Sequence, residues 1–275
     1  MPIEKLKKRV KASPLLYQLL KPVVVYVRET PQRAKLKARD RAVNRFRKYC
    51  LNLSKRVAKP VFVKVGANDG IGDDPCSDIF LADPAWSGVL IEPVSYCFER
   101  LKKNFPDNGR FAFEQIAVGS PAGEAPFYFV DPKARDTMPN WEDWFDKLGS
   151  FDRNHILKHA NGVLEPYIVA GRVPVLPLTE VIVRHGLKQV HLLHIDAEGY
   201  DYEVLKTLDF SRFAPLTIFI EHFHLPADQK REMLQFLARQ GYAVHDCIFD
   251  YFAVHREADQ RLRRNPETGK LKAQS

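Results

Sequence analysis

The stretch Val61-Phe-Val-Lys-Val-Gly66-Ala67-Asn68-Asp69-Gly70 constrains the fold more than any other part of the chain. Its first half is a β-branched and aromatic run that reads as a buried strand, and it breaks at two glycines. The next apolar run, Gly88-Val-Leu-Ile-Glu92-Pro93, ends on a carboxylate. A strand, a tight glycine turn and an acid at the tip of the following strand make a nucleoside site. The backbone approaches the ligand where no Cβ intervenes, and the carboxylate accepts hydrogen bonds from ribose hydroxyls. Asn68 stands where a G-x-G-x-x-G fingerprint has its central glycine, and no Gly-Lys-Ser/Thr follows. The turn thus lacks the phosphate cradle expected for NAD or ATP, and a nucleoside without phosphates, such as S-adenosylmethionine, fits it better.

The rest of the pattern alternates strands and helices. Strands are expected at 61–65, 89–92, 111–117, 127–130, 191–195 and 217–221, and an antiparallel pair at 242–246 and 249–254. Helices are expected at 33–58, around 78–82, from a cap at Ser95 to Asn104, at 178–185, from 203 to 208 and at 228–240. This order predicts an α/β fold with a doubly wound, mostly parallel sheet, whose ligands bind beyond the carboxyl ends of the strands. Gly66–Gly70, Glu92, Asp196 and Glu221 all fall at such ends. Residues 131–172 break the rhythm and read as an insertion over the site. Asn140 is taken there as the cap of a helix presenting Trp141, Trp144, Phe145 and Leu148, followed by a second helix from Asp152 to His159.

Charge divides the chain. Residues 1–60 hold 18 Lys and Arg against three acids, whereas the whole chain is only +8. The reading is a basic helical extension over 1–59, a body over 60–255 and a polar tail over 256–275. Such an extension suits an anionic surface, a membrane or a nucleic acid, or is a solvated helix. The apolar run Leu15–Val27 is interrupted by Lys21-Pro22 and too short to span a bilayer, though it could lie in its interface. Cys50, Cys76, Cys97 and Cys247 form no CxxC pair, which suggests free thiols and a reducing, cytoplasmic compartment, with peripheral contact at an inner membrane surface as an option.

The second informative stretch is His194-Ile-Asp196-Ala-Glu198-Gly199-Tyr200-Asp-Tyr-Glu-Val-Leu205. Together with Val-Gly66-Ala-Asn68-Asp-Gly70, Ile-Glu92-Pro93 and Ile-Phe-Ile-Glu221, it resembles the FkbM-type methyltransferases of the class I S-adenosylmethionine-dependent fold, over residues 60–255. The resemblance implies a seven-stranded sheet with a reversed final strand, and O-methyl transfer. It also implies S-adenosylmethionine held by Gly66, Ala67, Asn68, Asp69 and Gly70 on the methionine and ribose side, by Glu92 at the ribose hydroxyls, and by Ala117 and Val118 beside adenine. Asp196 would face the sulfonium and the acceptor. Two positions depart from the family pattern. Lys64 replaces an acid, leaving Asp69, Asp73 or Asp78 to supply a carboxylate, and His194 replaces a lysine.

Methyl transfer to a hydroxyl needs a group to take the hydroxyl proton. Asp196, His194 and His222 are the candidate catalytic residues, each with a bland alternative as a packed or hydrogen-bonded strand-end group. Asp196, Glu198, Glu221, His222 and His224 have the ligand types of a Mg²⁺ or Mn²⁺ site, but spacing gives no further support. His155 and His159 have zinc-type spacing with no evident third ligand. No metal is therefore assigned. The aromatic residues of the insertion either line an acceptor pocket or form a helix face. The expected acceptor is a small molecule or glycan. The competing readings are an RNA methyltransferase using the basic arm, a non-catalytic nucleoside-binding module and a Rossmann oxidoreductase. The motif after the strand at 191–195, Asp196-Ala-Glu198-Gly199, is not the Asn/Asp-Pro-Pro-aromatic signature of base methylation, so nucleic acid is the less favoured partner.

Overall fold

The structure, a computed structural model, describes residues 31–258 apart from Asp73. The apolar run Leu15–Val27, the tail from Gln260 and Asp73 lie outside the described residues. The main sheet is built from β1 (Val61–Val65), β2 (Ser87–Ile91), β3 (Phe111–Glu114), β8 (Leu192–Ile195), β9 (Thr217–Glu221), β10 (Tyr242–Asp246) and β11 (Asp250–His255). Between β3 and β8 run β4 (Ala117–Val118), β5 (Gly123–Val130), β6 (Gly149–Ser150) and β7 (Ile168–Leu176), which form a second sheet in the order β4-β7-β5-β6.

The main sheet has the order β10-β11-β9-β8-β1-β2-β3. Its first five strands in sequence, β1, β2, β3, β8 and β9, are parallel neighbours, and β11 runs antiparallel to both β9 and β10. This is the seven-stranded sheet with one reversed strand that the resemblance implies. The chain reverses its direction of winding between β1 and β8, and the carboxyl ends there form the crevice that ligands use in such sheets.

Alternation along the strands sorts the core into two layers. Val63, Val65, Leu193, Ile195, Ile218 and Ile220 face the helices Leu178–Arg184, Asp201–Lys206 and Ala227–Arg239. Phe62, Leu192, Phe219 and Phe252 face the other way, against Ile79, Phe80, Phe98 and Leu101 and against the helix Pro31–Arg56. That basic helix buries Phe46, Cys50 and Leu53 completely or nearly so, and the Phe46 ring stacks on Phe219 with centroids 4.1 Å apart. Its Arg47 makes a two-pronged pair with Asp78 at 2.7 and 2.6 Å. Residues 31–56 therefore pack on one face of the sheet as part of an outer layer.

The middle of the chain differs from expectation in three ways. The run 111–117 is not one strand: β3 stops at Glu114, and Ala117–Val118 turns into the second sheet. β7 forms where no strand is expected. Its pattern is interrupted by Gly171 and Pro174, and β4 pairs with only its last two residues, so most of that side is an edge where proline is tolerated. No helix spans 141–148. Asn140 has a φ of 58°, and only Phe145–Lys147 forms a 3₁₀ turn. Trp141, Phe145 and Leu148 instead pack with Val130, Met138, Ile156 and Leu164 as a separate small core. The helix Arg153–Lys158 forms as expected, with the Asp152 side chain capping the Asn154 amide. Ser95 starts its helix without a side-chain cap bond.

Candidate active site

The turn after β1 is shaped by its neighbours on both sides. Gly66 has a φ of +70°, and a Cβ there would fall 1.7 Å from the Asp196 carbonyl oxygen. Only glycine lets β1 and β8 end this close together. Asn68 follows in the left-handed region with a φ of 52°, a conformation asparagine tolerates better than most residues. Glu92 locks the turn. One carboxylate oxygen accepts from the Asn68 amide at 2.8 Å and the other from the Val94 amide at 2.8 Å. Burial pushes Glu92 up to about 7, against the pull of those two amides and of Lys64.

These groups open onto a cleft of about 640 Å³, including its mouth, at the carboxyl ends of β1, β2 and β8. Of the residues assigned from the sequence, Gly66, Asn68, Glu92, Ala117, Val118 and Asp196 line it. Ala67, Asp69 and Gly70 stand behind the wall instead. Ala67 is buried, with its amide donating to Ile91; Asp69 pairs with Lys147 at 3.4 Å; and a Cβ on Gly70 would strike Leu101 and Phe105. Phe127 of β5, with Lys147 and Phe151 on either side of β6, also lines the cleft, as does Tyr200. No sequence motif marks the first three, whereas Tyr200 directly follows Asp196-Ala-Glu198-Gly199.

The donor chemistry fits S-adenosylmethionine: a glycine that admits close backbone approach, a carboxylate at the ribose position and the apolar residues Ile116, Ala117, Val118 and Phe127 on the wall. Among the described residues the lining contributes one basic side chain, Lys147, which is paired with Asp69.

Asp196 stands where this cleft meets a second, more polar cavity of about 720 Å³. The second cavity is walled by Arg39, Asp40, Arg47, Asp74, His194 and Asp250 among others. Asp196 is open to solvent through the cavities yet lies deep among protein atoms. Burial, then the charges of Glu198 and Asp201, raise it well above the usual carboxylate range. Asp201 is fully buried and accepts from the Ala197 and Gly199 amides at 2.8 and 3.0 Å, which holds the turn carrying Glu198. Glu221, at the tip of β9, is pushed up to about 12 by burial and by Asp196, Asp201 and Glu198.

The two departures from the family pattern meet in space. Lys64 and His194 are register partners across β1 and β8, with Nζ and Nδ1 3.3 Å apart. The lysine that the resemblance places at position 194 on β8 is matched in space by Lys64 on β1. Lys64 pairs with the buried Asp74 carboxylate. Burial lowers Lys64, and burial together with the Lys64 charge holds His194 well below the ordinary histidine range. A neutral ring accepting from an ammonium is a poor proton acceptor for a substrate, so His194 is better described as the partner of Lys64. His222 lines neither cavity. It stacks on Tyr251 with centroids 3.9 Å apart, near Asp246 at 3.5 Å. Trp141, Trp144 and Phe145 line neither cavity either, and Trp144 donates to Glu142 at 2.6 Å.

The five residues considered for a Mg²⁺ or Mn²⁺ site fall into adjoining groups: Asp196 and Glu221 gather with Asp201, His222 lies apart, and Glu198 and His224 join His155 and His159, with His224 Nε2 also 3.8 Å from Glu221 Oε1. The third ligand missing from the His155/His159 pair is thus present in space.

Among the described residues no helix is long and apolar enough to cross a membrane. Comparison with curated proteins and with solved structures returns no match. A family model described as the methyltransferase FkbM domain matches residues 64–244, from β1 through β10, more than half of the chain. With this sheet order and this cleft, the chain belongs to the FkbM methyltransferase family.

Proposed function

We propose that this methyltransferase uses S-adenosylmethionine and methylates a hydroxyl of a polyhydroxylated acceptor, a sugar of a glycan, glycolipid or secondary metabolite. The reading rests on the placement of Asp196 between two cavities of different character. The first is partly apolar and suits a nucleoside. The second is lined by carboxylates and guanidinium groups, which suit the many donors and acceptors of a sugar.

When bound, S-adenosylmethionine supplies an electrophilic methyl group beside a positive sulfonium. Gly66 and Asn68 would place backbone against it, and Glu92 would accept from its ribose hydroxyls. A cation next to Asp196 favours its ionised form. Asp196 would then accept the proton of the acceptor hydroxyl while its oxygen takes the methyl carbon and the C–S bond breaks, releasing S-adenosylhomocysteine. Holding donor and acceptor in line supplies a large part of the rate. The basic extension over 1–59 would bring the enzyme to an anionic or membrane-associated substrate.

Methyl-labelled S-adenosylmethionine incubated with panels of glycans, glycolipids and RNA tests the acceptor class. Label is expected in the hydroxylated glycan fraction as an alkali-stable ether. Incorporation into RNA alone would contradict the reading.

A further inference from the structure

His155, His159, His224 and Glu198 come from three separate parts of the chain and converge on one point. His155 lies on the helix Arg153–Lys158 and His159 caps that helix one turn on. Glu198 follows β8, and His224 follows β9. One ligand atom from each lies within 4.8 Å of all the others. His155 Nε2 is 3.1 Å from Glu198 Oε2 and 3.2 Å from His159 Nε2, and His224 Nε2 is 3.7 Å from the same carboxylate oxygen. A zinc ion with bonds of about 2.0–2.1 Å in a tetrahedron requires neighbouring ligand atoms about 3.3–3.4 Å apart. The observed separations bracket that value.

Hydrogen bonding alone serves this arrangement poorly. A neutral imidazole has one N–H, so His155 Nε2 cannot donate both to Glu198 and to His159. The backbone is also bent toward the cluster. Glu198 has a φ of 51°, unfavourable for a residue that is neither glycine nor asparagine. Gly199, at φ +88°, leaves room for the His155 ring, since a Cβ there would lie 3.3 Å from His155 Nδ1. Trp144 and Phe223 set their rings edge-on against His159 and His224, at 5.8 and 4.9 Å, and form an apolar rim.

We propose that these four residues bind a divalent transition metal of the zinc class, which fastens the second sheet's helix to the carboxyl ends of β8 and β9. Three imidazoles and a carboxylate fill a tetrahedron and leave no position for substrate, so the ion is structural. Glu198 is also a wall residue of the nucleoside cleft, so the ion fixes one side of that cleft. The site stands independently of what the cleft binds.

The test uses the full chain, stripped with chelator and titrated with Zn²⁺ and with Co²⁺. The expected result is one ion per chain, the intense visible bands of tetrahedral Co²⁺ and a higher melting temperature with Zn²⁺. His159→Gln and Glu198→Gln, each shown folded by circular dichroism, should lose stoichiometric uptake and the melting shift. Wild-type protein that takes up no stoichiometric ion at micromolar Zn²⁺ would overturn the proposal, as would Co²⁺ bands that persist unchanged in both variants.

Discussion

Gly66→Ala is expected to destabilise the protein by on the order of 3–5 kcal/mol and to abolish ligand binding in any chain that still folds. The left-handed conformation alone costs an alanine about 1–2 kcal/mol. The larger cost is steric, because the new methyl would stand 1.7 Å from the Asp196 carbonyl oxygen. That obstacle is backbone in a sheet whose strands are paired on both sides, so it cannot rotate away as a side chain would. Either β1 and β8 separate, breaking the bond from the Asp196 amide to Val65, or the turn carrying Asn68 unwinds from Glu92. Chemical denaturation of the variant beside Gly88→Ala gives a useful pair. Gly88 is also tight, since an added methyl would meet Phe62 atoms at 2.4 to 2.6 Å, but it lies at the opposite end of the strands. Both should lower stability, and only the Gly66 variant should lose the cleft at equal folded fraction.

Asp196→Asn is expected to lower kcat by about 10²–10⁴-fold, to weaken binding of the cationic S-adenosylmethionine and to leave the affinity for uncharged S-adenosylhomocysteine nearly unchanged. An amide keeps the size and much of the hydrogen bonding of the carboxyl group but cannot accept the proton. The pH dependence separates this from a packing effect. Burial and the neighbouring carboxylates raise Asp196 well above the ordinary carboxylate range, so the active, ionised form is lost as pH falls through that raised value. The wild-type rate should therefore climb with pH on its acid side, and that limb should vanish in the variant. His194→Gln offers the contrast. Glutamine can still accept from Lys64, whose partner His194 is at 3.3 Å, so turnover should fall by less than about tenfold and the acid limb should remain.

Much of this architecture is legible in the sequence because two periodicities carry it. Buried runs such as Val61–Val65 and Thr217–Glu221 end on glycine or acid, and those ends become the site. The second sheet is the part that escapes. β5 and β7 are half-exposed, β7 holds Gly171 and Pro174, and their pairing joins residues as much as about fifty positions apart, which no local pattern encodes. The aromatic residues at 141–145 mislead for a related reason. Their spacing suits a helix, but they pack around a short turn against Val130 and Ile156. The exchange of Lys64 and His194 reads as two unrelated oddities until the register of β1 and β8 sets them side by side. Likewise His155 and His159 are visible as a pair, while Glu198 and His224 become their neighbours only through the order of the strands.

The assignment of the cleft to S-adenosylmethionine is best tested by calorimetric titration of the purified protein with S-adenosylhomocysteine, repeated with Glu92→Ala. Saturable one-to-one binding by the wild type is expected. The variant should lose about 2–3 kcal/mol, roughly 30–150-fold, because a charge-assisted pair with the ribose and the anchor of the Asn68 turn go together. Affinity should also weaken as pH falls through about 7, where burial has placed the Glu92 carboxyl. Equal affinity in wild type and variant, or no heat from a folded wild-type protein at millimolar ligand, would contradict the assignment.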